Sequence, residues 1–103
     1  MLNQNSFLSY IDAETVEVFN DYSSYIKDKH RIYYILQPIE NFDINSFEYI
    51  GRGYLKDKNN VYYDGKKING ANPETFILYS SQYGDAKDKN GYYYYGIKRI
   101  TNN

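Results

Sequence analysis

Three stretches of this chain follow one pattern, and that recurrence restricts it to a repeat architecture. Lys27-Asp28-Lys29, Lys56-Asp57-Lys58 and Lys87-Asp88-Lys89 lie 29 and 31 residues apart. The pairs Tyr33-Tyr34, Tyr62-Tyr63 and Tyr93-Tyr94 follow in the same register. Ile39 corresponds to Ile68, and Ser46-Phe47 to Thr75-Phe76. A period of this length marks one supersecondary unit repeated along the chain, each copy burying its neighbour's apolar face. The repeats run 27–55, 56–86 and 87–103, with a partial unit at 11–26, all within a single domain spanning 1–103.

The local grammar of a unit is that of β-hairpins. Asp-Lys-Asn-Asn or Asp-Lys-Asn-Gly specifies a turn, because Asp bonds its own backbone and Asn or Gly tolerates a left-handed residue. Strands follow at Ile32 to Leu36, Val61 to Tyr63 and Tyr92 to Tyr95, rich in aromatic and β-branched residues. Asp64-Gly65 is a two-residue hairpin signal, with Lys66-Lys67-Ile68 as the return strand. Asn72 caps a short helical turn with Pro73 at its first position. Phe42 to Ser46 takes the same place one unit earlier. Further strands are expected at Glu14 to Phe19, Tyr22 to Ile26, Phe47 to Ile50, Arg52 to Lys56 and Phe76 to Tyr79. The fold class is mainly β: a meander of β-hairpin repeats of about 29–31 residues with short helical turns.

Tyrosine dominates the aromatic content, with 15 Tyr against 5 Phe and no Trp. A tyrosine packs its ring while its hydroxyl stays wet or hydrogen-bonded. Thin sheets with half-buried rings suit such a chain, and so do binding surfaces. Strand alternation puts Ile32 and Tyr34, Val61 and Tyr63, and Tyr92 and Tyr94 on one face. The apolar members of that set make it the expected core face. Tyr33, Tyr62, Tyr93 and Tyr95 then form an expected outward ladder, a candidate partner-binding surface.

The units resemble the bacterial DKNYY repeat family, whose pattern runs Lys-Asp-Lys-Asn-x-Val-Tyr-Tyr-x-Gly-Lys-x-Ile and then Ala-x-x-x-Thr-Phe. Residues 56–76 match nearly throughout, and residues 87–100 match with one residue inserted before Ile100. Residues 27–47 match loosely: His30 replaces Asn, and the Asp-Gly turn becomes Ile35-Leu36-Gln37-Pro38. The resemblance implies a structural repeat and no particular activity.

The residues themselves point away from catalysis. There is no cysteine, so disulfides, thiolate nucleophiles and cysteine-ligated zinc are excluded. The single histidine, His30, occupies the turn position held by Asn59 and Asn90, which reads as turn filler rather than a general base. Asp28, Asp57 and Asp88 recur in equivalent settings, whereas an acid–base pair needs two different ones. Asp57-x-Asn59 and Asp88-x-Asn90-Gly91 lack the remainder of a calcium loop. Gly51-Arg52-Gly53 is no phosphate loop. No cofactor and no metal are expected, and the chain reads as non-enzymatic.

Charge is divided along the chain. Residues 1–49 carry three basic and eight acidic residues, and residues 50–103 carry nine and five. Asp12, Glu14, Glu17 and Asp21 crowd one short acidic front, which could dock on a basic cleft and speed association with it. A solvated face explains the same residues without a function. Lysines interleaved with tyrosines from Lys56 to Arg99 could hold single-stranded nucleic acid, although lysine on exposed strands also guards sheet edges. The leading expectation is a non-enzymatic protein-binding module: a small inhibitor of the toxin-immunity or anti-CRISPR kind, acting on a basic nucleic-acid enzyme or toxin. The alternative is a tyrosine-rich repeat that binds carbohydrate or cell wall, with aromatic rings stacked on sugars or caging choline. The amino terminus shows no basic segment followed by an apolar run, and no stretch is long and apolar enough to span a bilayer, so a cytoplasmic location is expected.

Overall fold

A computed structural model describes residues 11–19 and 23–100. The described residues form three antiparallel four-stranded meanders. The first holds β1 (Glu17–Val18), β2 (Tyr25–Lys27), β3 (Ile32–Tyr34) and β4 (Gln37–Pro38). The second holds β5 (Glu48–Gly51), β6 (Tyr54–Lys56), β7 (Val61–Tyr63) and β8 (Lys66–Lys67). The third holds β9 (Ile77–Ser81), β10 (Gly84–Asp88), β11 (Gly91–Tyr94) and β12 (Ile97–Lys98). The mainly β reading therefore stands. Among the described residues helix is confined to one 3-10 turn at Ile44–Ser46.

The period is the expected one, but its phase differs. Each Lys-Asp-Lys turn lies in the middle of a sheet, between the second and third strands. The segment 11–26 and the loosely matching half-unit after it together make one complete sheet. Several strands are shorter than expected: residues 13–15 are a turn, so β1 begins at Glu17, β3 ends at Tyr34 rather than Leu36, and β6 begins at Tyr54 rather than Arg52. Asn72 to Thr75 is a turn rather than a helix. Asn72 still caps it, its Oδ1 accepting the Thr75 N–H at 3.0 Å. Tyr22 lies outside the described residues.

The sheets stack face to face. In the middle sheet Leu55 and Tyr62 pack into one cluster with Tyr25 and Ile32 of the first sheet. Tyr54 and Val61, on the opposite face, pack into another with Phe76, Ala86 and Tyr93 of the third. Phe47 and Phe76 are the inserted rings, at 5.9 Å from Phe19 and 5.1 Å from Tyr54. Alternation along the strands is as expected, yet an inner sheet has no outer face.

The outward tyrosine ladder is corrected: Tyr62 and Tyr93 face neighbouring sheets, and Tyr33 is buried as well. Tyr33, Tyr62 and Tyr93 are 0%, 4% and 0% exposed. Only Tyr95 of that set is exposed, and it is a turn residue. In the third sheet the expected core and outer faces exchange: Tyr93 is buried while Tyr94 is half exposed.

Each third-to-fourth-strand hairpin turns on two residues with positive φ: Ile35 and Leu36 (47° and 64°), Asp64 and Gly65 (47° and 80°), Tyr95 and Gly96 (49° and 80°). This twist matches the flanking strands. It suits Asp-Gly well and a β-branched residue poorly. Replacing Ile35-Leu36 by Asn-Gly should raise unfolding stability by about 1–2 kcal/mol, the usual cost of a left-handed non-glycine residue. Urea titration checks this; an unchanged or lower midpoint would show that the side chains of Ile35 and Leu36 contribute more than their backbone costs.

Candidate binding face

The repeated aspartates carry internal bonds rather than chemistry. In each unit an Asp/Asn-x-x-Ser/Thr turn (Asp12 to Thr15, Asp43 to Ser46, Asn72 to Thr75) opens the sheet. The Lys-Asp-Lys aspartate clasps it. Asp28 Oδ1 accepts the N–H groups of His30 and Arg31 at 2.8 Å each, and Oδ2 accepts the Asp12 N–H at 2.8 Å. Asp57 does the same with Asn59, Asn60 and Asp43 at 2.9, 2.8 and 2.9 Å. Asp88 accepts the N–H groups of Asn90 and Asn72 at 2.8 and 2.7 Å, and the Tyr93 hydroxyl at 2.9 Å. In return, Thr15, Ser46 and Thr75 Oγ accept the N–H of Lys29, Lys58 and Lys89. Burial alone would raise the Asp28 pKa, but its amide donors outweigh that and hold it below the ordinary carboxylate value.

A second set of bonds joins one sheet to the next. The Tyr25 hydroxyl donates to Gly53 O and accepts the Gly65 N–H, both at 2.9 Å. The Tyr54 hydroxyl donates to Asp85 Oδ1 at 2.7 Å and accepts the Gly96 N–H at 2.8 Å. Burial pushes both phenols above their usual pKa. Sequence reading passed over these two tyrosines, although their 29-residue spacing equals the period. It also passed over the opening Asp/Asn-x-x-Ser/Thr motif, whose recurrence was visible.

Of the acidic front, Asp12 is a turn residue. Its carboxylate accepts from the Glu14 N–H and Thr15 Oγ1 and lies 4.0 Å from Lys29 Nζ. Glu14 and Glu17 are exposed. Asp21 lies outside the described residues. His30 is exposed in its turn and bonds Asp28 through its backbone. Among the described residues no three His, Asp or Glu side chains gather as a metal site requires.

The structure gathers tyrosines elsewhere, on the back of the third sheet. There the positions of Phe19 and Ile50 are taken by Tyr79, those of Ile32 and Val61 by Tyr92, and those of Tyr34 and Tyr63 by Tyr94. Tyr92 lies 6.0 Å from Tyr79 and 5.3 Å from Tyr83, with interplanar angles of 37° in both pairs. Tyr94 and Tyr95 lie 4.4 Å apart. Lys87 Nζ sits 3.8 Å above the Tyr79 ring, and the Arg99 guanidinium 5.9 Å from Tyr94. Arg99 also donates to Tyr83 O at 2.8 Å. In the first two sheets the corresponding lysines reach the next sheet: Lys27 lies over Phe47, and Lys56 donates to Pro73 O. A groove of about 550 Å³ also opens between β4 and β8, lined by Pro38, Ile39, Tyr62, Asp64 and Lys66 among others. Burial raises the Asp64 pKa there.

The model of the DKNYY family matches residues 35–97. The chain belongs to the DKNYY family. The match starts at the Ile35-Leu36 turn, takes in the second sheet whole and runs through the third as far as Ile97. No curated protein and no solved structure matches the chain. No helix among the described residues is long and apolar enough to cross a membrane. For this DKNYY chain the signature Asp is accounted for by the clasp, and Tyr62 and Tyr93 by the inner faces of the stack.

Two outcomes follow from this bonding. Asp28→Asn should cost about 2–3 kcal/mol at neutral pH, the scale of hydrogen bonds to a charged acceptor. The folded pKa is depressed, so this stability is fully present above the ordinary Asp value of about 3.9 and lost as pH falls through the lower folded value. The variant should therefore show a flatter acid limb in urea midpoints measured against pH. Tyr54→Phe should cost about 1–2 kcal/mol by leaving the Gly96 N–H without its acceptor, and exchange at that amide should rise; an unprotected Gly96 amide in the unaltered protein would contradict the bond.

Proposed function

We propose that this protein is a non-catalytic protein-binding module that uses the back of its third sheet. The carrying observation is the row Tyr79, Tyr92 and Tyr83, continued by Tyr94, on a sheet face whose counterparts in the other two sheets are covered by a neighbour. Tyrosine supplies large contact area at low entropy cost and is enriched where interfaces concentrate their energy. Lys87 and Arg99 beside the rings suit a partner that presents carboxylates.

The narrower expectation, an inhibitor that docks on a basic nucleic-acid enzyme, rests on Glu14 and Glu17, since the Asp12 carboxylate is committed to its turn. Binding of sugars would use the same tyrosines and is an outcome of the same test. Tagged protein is recovered from its source cell as wild type, as Tyr92→Lys with Tyr94→Lys, and as Glu14→Lys with Glu17→Lys. A stoichiometric protein partner should be retained by the glutamate variant and lost, at least tenfold in affinity, by the tyrosine variant. The reverse pattern would move the interface to the acidic front. Glycan-array binding without a protein partner would replace the protein reading by the carbohydrate one.

A further inference from the structure

We infer that Asn69 is a site of spontaneous covalent modification, converted to aspartate and isoaspartate, and that the fold withholds the same reaction from Asn90. The sequence holds two Asn-Gly pairs, Asn69-Gly70 and Asn90-Gly91. Asparagine before glycine is open to attack on its own side chain, because no Cβ on the next residue obstructs the approach. The Gly70 nitrogen attacks Asn69 Cγ. A C–N bond forms, the Cγ–Nδ2 bond breaks, and Nδ2 leaves as ammonia with the proton given up by the Gly70 N–H. Water then opens the cyclic imide at either carbonyl, giving aspartate or isoaspartate.

The two pairs differ in how they are held. Asn69 and Gly70 are exposed, in the middle of a turn closed by one long bond from the Ala71 N–H to Ile68 O at 3.4 Å. Among the described residues neither the Asn69 side chain nor the Gly70 N–H has a hydrogen-bond partner. Gly70 has a φ of 84°, and a Cβ built on it would meet nothing within 4 Å. Nucleophile, carbonyl carbon and surrounding space are therefore free. Asn90 has the same following residue and the opposite surroundings. Its Nδ2 donates to Gly70 O at 2.8 Å, and its backbone N–H donates to Asp88 Oδ1 at 2.8 Å. Gly91 opens β11 and is registered on Asp88. The Asn90 side chain has to leave Gly70 O, and its peptide the clasp, before the Gly91 nitrogen can reach Cγ.

The two products differ in what they do to the fold. The first joint carries Glu40 where the second carries Asn69, with Asn41 in place of Gly70 at a φ of 62°. A carboxylate therefore suits this turn, and the aspartate product leaves the backbone as it was. The isoaspartate product routes the main chain through the side chain. It adds a methylene between β8 and the Asn72 turn that Asp88 clasps, next to the Gly70 carbonyl that Asn90 holds. The third sheet is thereby loosened at its clasp. This inference does not rest on which partner that sheet meets.

The test follows both pairs in one chain. Protein is held in mildly alkaline buffer at body temperature, folded or in urea, then digested in acid with pepsin and mapped by mass spectrometry. In the folded protein the Asn69 peptide should gain the mass of an amide turned acid at least tenfold faster than the Asn90 peptide. In urea the two should differ by less than about threefold. A folded Asn69 that stays intact while the unfolded chain converts overturns the inference, and so does a folded Asn90 that keeps pace with it. A tenfold gap that persists in urea overturns the role given to the fold. The isoaspartate form, separated by chromatography, is then compared with Asn69→Asp. Amide protection at Asn72 and Asn90 should be kept in Asn69→Asp and fall severalfold in the isoaspartate form. Equal protection in both overturns the effect given to the added methylene.

Discussion

The structure depends on one carboxylate used three times, buried at Asp28 and Asp57 and part-buried at Asp88. A four-stranded meander of two- to five-residue strands has little ladder to hold it, and a chain of this size has a small core. Asp28, Asp57 and Asp88 supply what the short strands lack. Each closes its own turn with one oxygen and fixes the opening turn of the same sheet with the other, across 16, 14 and 16 residues. The contact converts a hairpin and a preceding loop into one object with a defined face. A buried carboxylate is costly unless amide donors surround it, and here they do. The flanking lysine contributes its N–H to the opening turn, which explains why Lys-Asp-Lys recurs as a unit rather than Asp alone.

Once each sheet is a defined plate, tyrosine becomes the residue that joins plates. A sheet packed on both faces normally fills them with aliphatic side chains. The plates here are narrow, and a ring that crosses the gap ends near the neighbour's backbone, where a hydroxyl finds an N–H or a carboxylate. Tyr25 and Tyr54 use both capacities of the phenol, accepting from a glycine amide and donating to the same neighbouring sheet. Tyrosine in place of phenylalanine at positions 25 and 54 thus reflects stacking, with the ring buried and the hydroxyl paired at the rim.

This explains what could be read from the chain alone and what could not. Period, strand type and the Asp64-Gly65 hairpin follow from local rules, and Val61–Tyr63 falls where it was expected. Alternation separated Tyr62 from Val61 and Tyr63 correctly. It could not tell that both sides were inside, because a two-sided sheet and a one-sided sheet share the same alternation; only the stacking decides. The Asp28 turn bonds were legible from turn chemistry, whereas its hold on Asp12 is a contact at a distance. The aromatic back of the third sheet was hidden by a misplaced emphasis on what the copies share. Tyr79, Tyr92 and Tyr94 stand out only after alignment with Phe19, Ile32 and Tyr34.

That last point bears on where function resides in such a chain. Residues repeated in every unit, the clasp aspartates and the inner tyrosines, are used up by the fold: their polar atoms face one another and their rings face neighbouring sheets. The freedom to evolve a contact lies where repetition fails, and this chain has two such places. The first sheet has lost the glycine and phenylalanine that would receive a neighbour. The third has lost the tyrosine that would reach for one, and in exchange has gained tyrosines that stay at the surface. The two losses have different consequences: removing a receiving feature leaves a worn edge, whereas replacing Ile32 and Val61 by Tyr92 builds a surface able to meet water and a partner alike. For that reason the back of the third sheet, where the copies differ by exposed tyrosines, is the face we propose for a partner.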